Sequence, residues 1–205
     1  MSGGQRDSLT GGSFAFTPEN AERARRIIAR YPAGRQASAI LPLLDLAQRQ
    51  SGGWLPRPAM EHVAAMLGVA LMRALEVATF YTMFNLAPVG RHLIQICRTT
   101  PCWLRGSDDL TETCRRKLGV GLKEMTADGL FTVVEVECLG ACVNAPVVQV
   151  NDDLYEDLDA GRMEALLEAF ARGEKPPMGS QTGRQGSAPE GPRTTLTTPP
   201  AAGED

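Results

Sequence analysis

Several things are scarce in this sequence at once. Its 205 residues include two Trp, three Tyr, six Phe and only two His. The longest apolar runs, such as 63–67, fall far short of the roughly 20 residues that a membrane-spanning helix needs. A basic excess is also missing. The 21 Lys+Arg stand against 24 Asp+Glu, a net charge of −3, which argues against a chain that coats nucleic acid. The opening segment has neither the apolar stretch of a signal peptide nor the Arg-rich pattern of a transit peptide. A cytoplasmic chain is expected, or a mature form whose presequence has been removed. No G-x-G-x-x-G follows a strand, and Gly119-Val-Gly121 reads as a turn. No Ser/His/Asp or Cys/His arrangement is evident, so the pattern points to no catalytic centre, and His62 and His92 read as structural.

What is present is organised in blocks. Residues 1–16 read as a flexible lead. Thr17-Pro18-Glu19 marks a helix start, with a Thr cap, a Pro in the first turn and an early carboxylate. Helical spacing then predicts helices over 17–30, 35–50, from Pro58 to Leu67, and 71–84. The last is apolar nearly all round and is expected to be the buried one. Residues 17–88 thus read as a helical bundle. Arg23, Arg25, Arg26, Arg30 and Arg35 give its first helix a basic side, read as a solvated or partner-facing surface in preference to a DNA-reading helix.

After Pro88-Val89-Gly90 the period changes. Residues 91–97 alternate as a strand with Ile94 and Ile96 on one face, and 131–138 and 147–150 read as further strands, with a short one at 154–156. Between the first two, Ser107-Asp108-Asp109 can cap a helix carrying Leu110, Cys114 and Leu118. Met163, Leu166, Leu167 and Phe170 define a closing helix. The order β-α-β-β-α over 89–172 predicts a thioredoxin-like α/β domain with a mixed sheet, and the whole chain is expected to be α+β. Residues 173–205 are rich in Gly and Pro, with Met178 and Leu196 as the only large apolar side chains. They cannot build a core and are expected to extend over a partner subunit.

Five cysteines are an odd number at low density, which in a reducing compartment points to metal or redox chemistry. Four form two pairs, Cys97-x4-Cys102 and Cys138-x3-Cys142, 35 residues apart, each following a predicted strand. Four convergent thiolates suit a [2Fe–2S] cluster. Structural zinc takes four cysteines too, usually as C-x2-C knuckles, and unrelated core cysteines remain a further reading of the spacing. A thioredoxin-type dithiol needs C-x-x-C, which is missing. Around the pairs, Gly140 and Ala141 allow backbone N–H groups to come close to sulfur. Thr99, Thr100, Arg98 and Arg105 could stabilise negative charge, and Pro101 and Pro146 could stiffen the loops. Asn144 is added to these supporting residues. Cys114 lies on an apolar stripe and reads as core.

The segments Glu76-Val-Ala-Thr-Phe-Tyr-Thr-Met-Phe84, Cys97-Arg-Thr-Thr-Pro-Cys102, Cys138-Leu-Gly-Ala-Cys-Val-Asn-Ala-Pro146 and Tyr155-Glu-Asp157 occur in order. With Gly183-Arg-Gln-Gly-Ser-Ala-Pro-Glu190, the pattern resembles the thioredoxin-like [2Fe–2S] subunit of the NADH-dehydrogenase module of respiratory complex I (NuoE-type). The resemblance covers residues 17–172. It implies that Cys97 and Cys102 bind one iron and Cys138 and Cys142 the other. It implies further that the subunit docks on an FMN-binding flavoprotein subunit, next to another iron–sulfur subunit, and that NADH oxidation takes place on the flavoprotein. The chain would then be a non-catalytic electron relay, peripheral on the cytoplasmic side of a bacterial membrane or on the matrix side in a mitochondrion. Equivalent subunits of NAD-linked hydrogenases and formate dehydrogenases share these motifs. A zinc-stabilised scaffold is the alternative from a different class.

Overall fold

The structure, a computed structural model, describes residues 12–186. Most of the expected lead, 1–11, lies outside the described residues. The chain divides into two compact units that meet in sequence at Arg91 and His92.

The first unit is helical. In α1 (Pro18–Ile28) the Thr17 side chain accepts the Asn20 N–H and Pro18 sits in the first turn, so the predicted cap is the observed one. The helix ends two residues before the expected Arg30. Residues Gln36–Ala39 form a 3-10 turn that leads into α2 (Ile40–Gln50). Then come α3 (Arg57–Leu67), closed by Gly68 at φ +64°, and α4 (Leu71–Phe80). A left-handed residue after a last helical turn favours glycine.

The core joins Leu43, Leu44 and Ala47 of α2 to Met60, Val63 and Ala64 of α3 and to Ala74, Val77 and Ala78 of α4. Helix α4 is shorter than expected and is not the buried element, because α2 takes that place. Met72 and Phe80 of α4 are 64% and 77% exposed, and Tyr81 and Met83 beyond it are exposed as well. Its inward face is Ala and Val, and its large side chains point out. Arg73 and Glu76, an exposed pair, lie on that same outward side, while the small residues face in. Gln48 is buried and satisfied, donating to the Met83 carbonyl at 3.0 Å and accepting the Asn85 N–H at 2.7 Å. It therefore anchors the chain that leaves α4. His62 packs edge-on against Phe14 and Phe16, and Arg25 of the basic helix pairs with Glu22 at 2.6 Å.

The second unit runs β1 (His92–Cys97), α5 (Thr100–Leu104), α6 (Ser107–Leu118), β2 (Phe131–Val136), a 3-10 turn (Cys142–Asn144), β3 (Val148–Val150), β4 (Asp153–Glu156), α7 (Ala160–Ala171) and β5 (Gly179–Ser180). The sheet order is β2-β1-β3-β4-β5. Strands β1/β2 and β4/β5 are parallel and the other pairs antiparallel, a mixed sheet. Its inner face, Ile94, Ile96, Phe131, Val133, Val148, Val150 and Tyr155, packs with Leu110 and Cys114 of α6 and Met163, Leu166, Leu167 and Phe170 of α7. Arg116 and Lys117 of α6 pair with Glu164 and Glu168 of α7. These pairs are exposed and add little to stability. His92 lies against Phe131 and Phe170, with ring centroids 5.5 and 4.7 Å away.

Two features were not anticipated. Helix α5 forms directly after the first cysteine, started by Pro101 in its first turn. The stretch after α7 does not leave the unit: β5 adds to the sheet beside β4, and residues up to 186 stay attached to this chain's own surface. Over 179–186 the expected tail lies along this chain's own sheet, and its residues 187–205 lie outside the described residues. Among the described residues no helix is long and apolar enough to cross a membrane.

Candidate metal centre

The parallel register of β1 and β2 sets Cys97 opposite Val136. Both strands therefore leave the sheet at the same end, with Cys97 the last residue of β1 and Cys138 two residues past β2. Helix α5 carries Cys102 back towards Cys97. Both thiols are 1% exposed, in a small cluster with Ala141, Ala145 and Val147. The Cys97 backbone N–H donates to the Val147 carbonyl at 3.1 Å, tying this pair to the start of β3.

The second pair stands in a loop and is more open: Cys138 is exposed and Cys142 half-buried. Its sulfurs are 3.4 Å apart. The Gly140 N–H donates to Cys138 Sγ at 3.4 Å, from a backbone with φ +88°. That conformation is open to glycine and strained for residues with a Cβ. The chain then tightens into the 3-10 turn, closed by Asn144 N–H to the Ala141 carbonyl at 2.9 Å.

The thiols sense one another electrically. Burial works to raise Cys97, but hydrogen bonds from the Thr99 hydroxyl and N–H, the Leu139 N–H and Cys102 outweigh it, and the group is lowered. Cys102 is pushed up to about 12 by burial and by the hydrogen it shares with Cys97. Cys138 is lowered, chiefly by the Gly140 N–H and by Cys142, while Cys142 is raised by that same contact with Cys138. Each pair therefore holds one thiol biased towards thiolate. The Thr99 hydroxyl lies 3.3 Å from Cys97 Sγ and also reaches Cys138, bridging the two pairs. Cys114, in the core of the unit away from the other four, is raised to about 12 by burial alone. All five cysteines are free.

Not every expected supporting residue faces the thiols. Thr99, Gly140 and Ala141 do. Thr100 opens α5 beside them. Arg98 instead turns its guanidinium to Glu135, 3.1 Å away. Asn144 is wholly buried and gives its Nδ2 to Asp157 at 3.0 Å. Sequence reasoning missed the Leu139 N–H, which crosses from the second loop to Cys97, because a backbone donor leaves no mark in the residue type. It also missed the part played by Arg184, which stood in the segment Gly183-Arg-Gln-Gly-Ser-Ala-Pro-Glu190 of the resemblance with nothing there to name Asp157 as its partner.

Among the described residues no three His, Cys, Asp or Glu side chains gather closely enough to hold a single metal ion. The four thiols stand two by two. That is the donor set a two-iron cluster takes, two thiolates at each iron, with backbone N–H groups and small residues free to approach its sulfides. The residues present fit the group.

A family model for the thioredoxin-like [2Fe-2S] ferredoxin matches residues 24–171. The chain belongs to that family. It is similar to the E-type subunit of the NADH-quinone oxidoreductase of Rickettsia bellii, 62% identical over 76% of this chain and 93% of the relative. It is also similar to the mitochondrial NADH dehydrogenase [ubiquinone] flavoprotein 2 of Dictyostelium discoideum, 50% identical over 91% of this chain and 76% of the relative. Among solved structures, an NAD+-reducing [NiFe]-hydrogenase in the air-oxidized state shares the fold, with a TM-score of 0.57 and 23% identity over 64% of this chain and 23% of that one.

Proposed function

We propose that this thioredoxin-like ferredoxin is the [2Fe–2S] electron-transfer subunit of an NADH:quinone oxidoreductase, with Cys97, Cys102, Cys138 and Cys142 as ligands. The observation that carries the reading is the meeting of four free thiols, two by two, at the ends of adjacent parallel strands. The name carried by relatives as similar as 62% supports this host over a hydrogenase, for which the likeness is one of fold.

When bound, such a cluster takes up and gives back single electrons. The chain's own residues set the terms of that exchange. Donors aimed at sulfur, the Thr99 hydroxyl and the N–H groups of Gly140 and Leu139, favour the more negative state and raise the potential. Cys97 and Cys102, shut away from water, would anchor one side. Cys138 and Cys142, closer to the surface, would mark the side where electrons enter and leave. The chain is a relay, and hydride removal from NADH takes place on the FMN-binding flavoprotein subunit it docks on, close to a further iron–sulfur subunit. The outward surface of α4 suits a partner: Phe80 and Tyr81 border a groove of about 620 Å³ shared with Arg73 and Glu76. The assembly is peripheral, on the cytoplasmic side in a bacterium or the matrix side in a mitochondrion.

Anaerobic reduction of the purified protein tests the reading. A rhombic S = 1/2 EPR signal is expected, with about two irons and two labile sulfides per chain. Tetrahedral zinc without labile sulfide would overturn it. Isolation of the native assembly without a flavoprotein would remove the proposed host.

A further inference from the structure

Beyond the region matched by the family model, residues 179–186 reach back to the second cysteine loop. Asp157 follows β4 in a left-handed backbone conformation, φ +55°, which non-glycine residues adopt sparingly. Its carboxylate is the centre of a network. Arg184 Nε lies 3.0 Å from both of its oxygens and Nη2 lies 2.6 Å from Oδ1. Ser180 Oγ donates to it at 2.6 Å and Asn144 Nδ2 at 3.0 Å. The carboxylate side chain is only 9% exposed and the guanidinium 21%. A buried charge pair of this kind is costly unless its remaining hydrogen bonds are made, and here they are. Burial works to raise Asp157, but Arg184 and Ser180 outweigh it and hold the group low.

Two contacts carry the network to the ligands. Arg184 Nη2 donates to the carbonyl of Val143, the residue after Cys142, at 2.7 Å. The Asp157 N–H donates to the carbonyl of Asn144 at 2.7 Å. The 3-10 turn that begins at Cys142 therefore has its two following carbonyls held from outside its own loop. One is held by the strand end and one by the tail.

We propose that Arg184, seated on Asp157, is a positioning residue for the cluster: it clasps the tail onto the loop of Cys142 and fixes where that thiolate points. This rests on the four cysteines being the cluster ligands. Outer groups that orient a metal ligand change metal retention by about 10- to 100-fold when removed. A planar guanidinium that bonds a carboxylate and a carbonyl together cannot be matched by a lysine.

The test uses the full chain with Arg184→Ala, Arg184→Lys and Asp157→Asn. Release of iron to a chelator, followed by visible absorbance, is expected to be on the order of 10-fold faster in Arg184→Ala. It should be intermediate in Arg184→Lys, and the reduction potential should be displaced in both. In the metal-free chain, amide hydrogen exchange of Asn144 and Ala145 should quicken together with that of Gly179–Ser180, while the amides of β1 and α6 keep their protection. Equal iron release in wild type and Arg184→Ala overturns the proposal. So does faster exchange in the tail with the 144–145 amides unchanged, since the tail would then be tied down without acting on the loop. A wild-type chain that binds no cluster would instead overturn the ligand assignment, and the exchange measurement would still report on the clasp.

Discussion

The two cysteine pairs are built in different ways. Cys97 and Cys102 are supplied by the end of a central strand and by a short helix, and both are buried against Ala141, Ala145 and Val147. Their positions follow from elements that would form whether or not a metal came. Cys138 lies in a loop and Cys142 opens a single 3-10 turn, both more exposed, where the carbonyls that follow lack a ladder and must find partners elsewhere. Those partners are distant in sequence: Asp157 for the Asn144 carbonyl and Arg184 for that of Val143. One side of the centre is made by secondary structure and the other by tertiary contacts, so the two sides should answer differently to perturbation.

The largest effect should come from the ligands themselves. Cys102→Ala and Cys138→Ala should each abolish the visible absorbance and EPR signal of the cluster. They should part company in the metal-free protein. Loss of the exposed Cys138 side chain should leave stability within about 0.5 kcal/mol, whereas Cys102→Ala should cost on the order of 1–2 kcal/mol of lost packing. Equal denaturation midpoints would erase the distinction between a buried and a loop-borne pair. Next, Gly140→Val forces a branched side chain into φ +88°, a strain of about 1–3 kcal/mol. The cost should appear as faster iron loss with little change in the protection of β1.

A smaller effect is expected of Thr99→Val. It removes a hydroxyl donor to Cys97 and Cys138, a loss of about 1 kcal/mol. Because that bond favours the more negative state, the potential should fall by tens of millivolts, read by EPR-monitored titration. Acid gives a further contrast. Asp157 is held low, so the stability it contributes is whole above the ordinary carboxylate range and is lost as pH drops below about 4. Glu156, pushed upward by burial, acts in the opposite sense. Exchange of the 144–145 amides in metal-free Glu156→Gln should therefore rise in acid, and the further change Asp157→Asn should flatten that rise. The smallest spectral effect belongs to Cys114→Ala. Its thiol stays protonated at neutral pH and packs among Leu110 and the strands, so the cluster spectrum should be unchanged while thermal stability drops.

Much of this was legible in the sequence, and the reasons are local. Alternation placed Ile94 and Ile96 on the inner face of β1, and the positions of Cys97 and Cys138 after two strands brought both to one end of the sheet once those strands paired. Thr17-Pro18 announced α1. The misreadings concern direction and distance. The fourth helix is mostly apolar, and its two charged residues, Arg73 and Glu76, mark as outward the side that also carries Met72 and Phe80, a cue outweighed in the reading by the number of large apolar residues. Helix α5 is a single turn, too short for a period to show. Arg98 was placed near the thiols by chain proximity, but Glu135 on the neighbouring strand takes its charge. The clasp was illegible for a simpler reason: an arginine among glycines says nothing about which carboxylate it will find.

A protein made from its N-terminus onward acquires Arg184 well after all four thiols. Until that residue is added the Val143 carbonyl lacks its donor, and the turn that opens at Cys142 has only one of its two outside holds, so the outer pair reaches its final setting later than the inner one.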